Sequence, residues 1–172
     1  MRILFYILAI VIANVVTASF EPLNMGILLI PWGTLFIGVT FILRDLVQNQ
    51  YGRTTTYKVI ILALAISAAS SYLLGDTLWI VIASAIAFIV SETTDTEIYT
   101  RLRLPMPWRV FYSGVFGGLF DSVVFVIIGL SPWGANFIPW AAVPMAIVGQ
   151  VIVKVILQSI GAGVISRIKK GI

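Results

Sequence analysis

Asn14, Asp121 and Lys154 each fall about 11 to 13 residues into a long apolar run, roughly 16–20 Å from the edge of a hydrocarbon core about 30 Å thick. Polar groups at that depth cost several kcal/mol to insert, so they face other helices or a wet cavity and mark a functional site by default. The three types are complementary: a carboxylate accepts from paired N–H groups, while an ammonium or a carboxamide donates to a carbonyl. Lys154 belongs to a one-face stripe, because Gln150, Lys154 and Gln158 are spaced by four. Ser113, Ser122 and the pair Gly117-Gly118 accompany Asp121 and permit close approach of a helix or a ligand. A buried Asp121–Lys154 pair that only locks two helices is the simpler reading. The additional Asn14, Gln150 and Gln158 at similar depth favour ligand binding over a lock alone.

A second polar layer lies at the far ends of the neighbouring spans. Arg44, Asp45 and Gln48 close one run, and Glu92 and Asp95 share a face of another at i, i+3. Two readings stay open for this layer, a structural ion-pair cluster or a gate. Glu92 and Asp95 also have the makings of an acid–base pair. The chain has no cysteine and no histidine, which removes thiolate chemistry, the usual metal ligand and the neutral-pH proton carrier. It has no phosphate-cradling G-x-x-x-x-G-K-[ST] loop either. No enzymatic activity, metal or other cofactor is expected.

The elements that must carry these residues are apolar helices. With about 20 residues needed per crossing, spans are expected at 3–20, 27–50, 57–75, 77–98, 110–130 and 141–166. Polar Gln48–Arg53 separates the second from the third, and the proline-bearing stretch 101–107 the fourth from the fifth. Glu21-Pro22-Leu23-Asn24, Gly75-Asp76 and Ser131-Pro132-Trp133-Gly134 form the opposite connections. A signal peptide at the N-terminus is a rival for the first span, opposed by Asn14 and a weak cleavage site around Val16-Thr17-Ala18. Continuous rather than alternating hydrophobicity excludes a barrel. The expected fold is all-α, a polytopic membrane protein with one six-helix transmembrane domain over residues 1–172.

That path puts Arg2, Arg53/Lys58, Arg101/Arg103/Arg109 and Arg167/Lys169/Lys170 on one face and no cation opposite. By the positive-inside rule this face and both termini are cytoplasmic, in a cell inner membrane. Composition agrees: 60% of residues are hydrophobic and 10% charged, with a mean hydropathy of +1.06. The net charge of +4 therefore serves orientation and contact with anionic lipid rather than nucleic-acid binding.

Several of these residues sit in longer strings. Arg44-Asp45-Leu46-Val47-Gln48-Asn49-Gln50-Tyr51-Gly52, Ser91–Tyr99 followed by Arg101-Leu102-Arg103, Phe120-Asp121-Ser122, and Lys154 in the last span together resemble the queuosine precursor transporters, also called vitamin-uptake-like transporters. The resemblance runs over nearly the whole chain in order and spacing. It implies a six-helix inner-membrane importer of the 7-deazaguanine bases preQ0 and preQ1, with Asn14, Asp45, Glu92, Asp95, Asp121 and Lys154 on the family's polar intramembrane positions.

A guanine-like base suits such a site on chemical grounds. Its ring N–H and exocyclic amine can be accepted together by Asp121 or Glu92, and its carbonyl can take a bond from Lys154, Asn14 or Gln158. A phenylalanine among Phe41, Phe88, Phe111, Phe116, Phe120 and Phe125 would cover a ring face. The expected partners are this small molecule and the bilayer, with a homodimer as a further possibility for so thin a bundle. The competing function is a substrate-binding subunit of an energy-coupling-factor vitamin transporter, for which Ala9 and Ala13 supply small-xxx-small spacing on the first helix.

Overall fold

The computed structural model describes residues 1–20, 23–25, 28–30 and 32–170. Helix α1, Arg2–Ser19, is followed by a two-stranded hairpin, β1 Leu23–Met25 against β2 Leu28–Ile30, with Asn24 opposite Leu29. Then come α2 Gly33–Leu73, α3 Leu78–Arg101, α4 Met106–Val124 and α5 Val143–Lys170. The expected start of the second span at 27 is corrected by the hairpin: helix begins at Gly33. Glu21 and Pro22 of that connection lie outside the described residues, as do the side chains of Lys169 and Lys170.

Among the described residues, four stretches are long and apolar enough to cross a membrane: Gly33–Leu73, Leu78–Arg101, Met106–Leu130 and Trp140–Arg167. The first contains 41 residues, about 60 Å if straight and twice what one crossing needs. It is not straight. Gly52 interrupts it at φ 79°, ψ 170°, a backbone region open essentially to glycine alone. Both ends of α2 then reach the same end of α1: Gly33 abuts Ala13 and Thr17, while Asn14 bonds to Ser67 and Ser70. The chain therefore reverses at Gly52 into two antiparallel arms, 33–51 and 53–73. The polar stretch Gln48–Arg53, expected as a loop, is helical up to this one residue. The Thr56 hydroxyl donates to the Gly52 carbonyl at 2.9 Å and secures the second arm.

The α2–α3 turn is set by chemistry legible in the sequence. Gly75 has φ 97°, and the amides of Gly75 and Asp76 bond back to Tyr72 and Ser71, satisfying carbonyls that a helix end leaves open. Thr77 caps α3 by accepting from the Ile80 amide. Pro105 and Pro107 start α4, where a missing N–H is harmless.

The packing is inverted relative to a soluble domain. Leu62, Ile89, Phe116, Ile156 and Ile160 are exposed on the outside, whereas Arg44, Asp45, Glu92, Asp95, Lys154 and Gln158 are buried. Glycines make this possible: Gly114 faces Gln158, Gly117 faces Asp95 and Gly118 faces Lys154, each leaving the volume that the polar side chain fills.

The two ends of the bundle differ in charge. Arg2 reaches the Leu46 carbonyl, Arg53 and Arg101 pair with Glu97, and Arg109 donates to the Tyr99 carbonyl. Arg167 follows Ile165, which packs with Tyr99, Met106 and Val110 at the same end. Trp79, Trp133 and Trp140 mark the opposite end. There the Trp79 indole donates to the Ile128 carbonyl, and the other two rings meet edge-on at 5.3 Å.

Candidate functional site

A cavity of about 120 Å³ lies between α1, both arms of α2, α3, α4 and α5. It runs from Ser71 and Asp76 near the tryptophan end inward to Asp121, Gln150 and Lys154. Asn14 lines it too, so the structure places Asn14, Asp121 and Lys154 on one wall system. Hydroxyls and amides line one side, and Phe88 and Phe125 supply apolar ring faces.

Lys154 is held by three acceptors on α4. Its ammonium donates to Asp121 Oδ2 at 2.7 Å, to Ser122 Oγ at 2.7 Å and to the Gly118 carbonyl at 3.4 Å. Lys154 is fully buried and Asp121 nearly so, with 16% of its side chain exposed. A pair buried this deeply attracts strongly in low dielectric and leaves the second carboxylate oxygen of Asp121 as an acceptor. One turn before Lys154 on α5, the Gln150 amide nitrogen is buried without a hydrogen-bond partner. It is a donor on the cavity wall that the protein itself does not use.

Asn14 lines the cavity with its amide nitrogen already engaged. Its amide nitrogen donates to the Ser67 carbonyl and to Ser70 Oγ at 3.0 and 2.6 Å, tying α1 to the second arm of α2. Gln158 does not line the cavity. It sits one turn beyond Lys154, packs on Gly114 and donates to the Gly38 carbonyl at 2.9 Å.

Glu92 and Asp95 also stay off the cavity wall. They join Arg44 in a layer between the cavity and the cationic end. The guanidinium approaches Asp45 at 3.1 Å, Glu92 at 3.2 Å and Asp95 more closely still. Its remaining nitrogen donates to Gln48 Oε1 and Thr96 Oγ1 at 3.1 and 3.0 Å. Gln48 in turn donates to Thr100 Oγ1 at 2.8 Å, and Ser113 donates to Asp45 at 3.3 Å. Arg44, Asp45, Gln48, Glu92, Asp95, Thr96 and Ser113 are all buried, with Thr100 at the exposed edge, so α2, α3 and α4 and both charge signs are fixed in one layer.

The sequence reading missed Ser67, Ser71 and Ser84, the serines that line the cavity. Ser67, Ser70 and Ser71 recur at i, i+3 and i+4 in the second arm of α2, a hydroxyl stripe legible in principle within an apolar run. Asp76, read as a turn residue, stands at the mouth and accepts from the Ser71 hydroxyl. Of the aromatics singled out, Phe41 is core, Phe116 and Phe120 are exposed, and only Phe88 and Phe125 line the cavity. Phe125 opens a π-helical turn, Phe125–Leu130, directly after the Asp121 turn of α4. Such one-turn widenings commonly accompany functional sites.

Residues 68–167, more than half of the chain and including Glu92, Asp95, Asp121, Gln150 and Lys154, match the family described as "Putative vitamin uptake transporter". No curated protein and no solved structure matches the chain.

Proposed function

This chain belongs to that vitamin uptake transporter family, and on that premise we propose that it imports a queuosine precursor, a 7-deazaguanine of the preQ0 or preQ1 kind, across the inner membrane. The observation that supports this reading is the cavity: a carboxylate oxygen at Asp121, an unpartnered amide donor at Gln150, and two phenyl rings around a small volume. Asp121 takes the ring N–H and the exocyclic amine of the base, and Gln150 donates to its carbonyl. Phe88 or Phe125 covers a ring face. Lys154 is occupied by α4 and holds Asp121 in place.

The cavity is small against the 300–1,000 Å³ or so typical of drug-sized ligands, which favours a single flat bicycle over riboflavin. Uptake proceeds by alternating access. The cavity is loaded from the tryptophan end, and the Arg44 layer is the inner gate that separates it from the cationic, cytoplasmic end, where both termini lie. A docking role as the substrate subunit of an ATP-driven assembly finds less support, since Ala9 and Ala13 are 8% and 1% exposed and so do not present a small-residue stripe outward.

Titration calorimetry on purified protein with preQ0, preQ1, guanine, biotin and riboflavin tests the substrate class. Binding of a 7-deazaguanine in preference to both vitamins is expected; preference for biotin or riboflavin removes the reading. Gln150→Leu keeps the volume but not the donor and is expected to weaken binding by about tenfold, the worth of one hydrogen bond of about 1–1.5 kcal/mol.

A further inference from the structure

The Arg44 layer carries more negative than positive charge. One guanidinium faces three carboxylates, Asp45, Glu92 and Asp95, each with 1% or less of its side chain exposed. Of the other cations, Lys154 is already matched by Asp121, and Arg109 acts on Asp45 from the cationic end, where its guanidinium donates to the Tyr99 carbonyl. Even with Arg109 counted, three ionised acids would outnumber the cations that reach them, and buried carboxyl groups in that position neutralise instead. The hydrogen-bond pattern points the same way: Asp95 Oδ1 is buried with no partner, and the fully buried Tyr6 hydroxyl approaches Glu92 with no geometrically formed bond. The layer is closely packed, with Gly117 set directly against Asp95, a setting that a proton enters without displacing any side chain.

We infer that the Arg44 layer is a proton-binding site, and that Glu92 takes up a proton with the substrate and releases it toward the cationic end in each transport cycle. Glu92 is the acid best placed for this. It lies one turn from Phe88, which lines the cavity, and it has Tyr6 of α1 beside it as a relay hydroxyl. The charged and titratable groups around it are Arg44 and Asp45 of α2, Asp95 and Tyr99 of α3, and Asp121 and Arg109 of α4. From α5 come Lys154, matched to Asp121, and neutral Gln158. With the gate closed Glu92 already carries one proton, taken from the side of the cavity, and as a neutral acid it holds the Arg44 nitrogen only weakly. When the gate opens that proton leaves to the opposite side, so one proton and one substrate molecule move together, and a new proton from the cavity side resets the layer as the gate reforms. The transport half of this inference rests on the function proposed above; the protonation half does not.

Two measurements separate them. Infrared spectroscopy of the purified protein at neutral pH is expected to show a protonated-carboxyl C=O band that shifts in D₂O, weakens in Glu92→Gln, and keeps its intensity but changes frequency in Tyr6→Phe. Absence of such a band in the wild type overturns the proposal whatever the substrate. In proteoliposomes, an acid-outside gradient should drive preQ0 accumulation of up to about tenfold per pH unit, the limit for one proton per molecule. An inward sodium gradient should have no effect. Glu92→Gln should retain preQ0 binding by calorimetry, since it does not line the cavity, yet equilibrate preQ0 without accumulation. Uptake indifferent to the pH gradient, or driven by sodium, overturns the coupling; failure of the wild type to bind preQ0 sinks the substrate reading and leaves the infrared result to judge the proton site.

Discussion

At the scale of single residues, the strongest constraint is that Lys154 and Asp121 satisfy one another away from water. Removing one member of such a pair strands the other, which costs about 3–5 kcal/mol, whereas replacing both with apolar groups costs far less. Asp121→Asn and Lys154→Ala are therefore expected to lower the unfolding temperature of the detergent-purified protein, and Asp121→Leu/Lys154→Met to restore most of it. Uptake should fall at least tenfold in all three, because the double variant recovers the fold without the acceptor for the substrate. Full uptake in the double variant would reduce the pair to a helix lock. Depth alone singled these two residues out in the sequence. Depth did not reveal that Asn14 spends its donors on Ser67 and Ser70, nor that Gln150 keeps its donor free. The stripe Gln150, Lys154 and Gln158 shares one face of α5, yet its three members meet different helices. That outcome depends on where Gly114 and Gly118 allow α4 to come close.

At the scale of elements, the reversal at Gly52 decides whether the fold closes. The φ of 79° is strained for any residue with a Cβ, and no neighbouring atom lies within 4 Å of where that Cβ would be. Gly52→Ala thus tests conformation free of steric clash. It should destabilise by about 1–3 kcal/mol, read as a lower unfolding temperature with unchanged substrate affinity in the folded fraction. A variant as stable as the wild type would mean that the turn tolerates another geometry. The sequence marked this region as a break through its polar residues. It placed the break across six residues rather than one, because helix propensity extends through Gln48, Asn49 and Gln50 once their side chains find partners or water. The hairpin at β1 and β2 was not legible at all. Most of β1 read as the connection Glu21-Pro22-Leu23-Asn24 and β2 as the apolar start of the second span, and short apolar runs do not distinguish strand from helix.

At the scale of the whole molecule, the charge asymmetry predicts orientation. The chain lacks cysteine, so single cysteines report sidedness without background. Trp133→Cys should react with a membrane-impermeant maleimide added to whole cells freed of outer membrane, and Arg103→Cys only after the membrane is opened. The reverse pattern would invert the bundle and with it the direction of loading. Hydropathy and the placement of arginine and lysine determined by themselves that the chain lives in a bilayer, because the cost of exposing polar groups to lipid is a property of each residue whatever its neighbours. The same local cost picked out Asn14, Arg44, Glu92, Asp95, Asp121 and Lys154 as residues with an interior role. Which of them face a common cavity and which neutralise one another was decided only by tertiary structure. Hydrogen bonds and ion pairs act over about 3 Å, and no pattern along a helix states which partner its neighbour will bring within that reach.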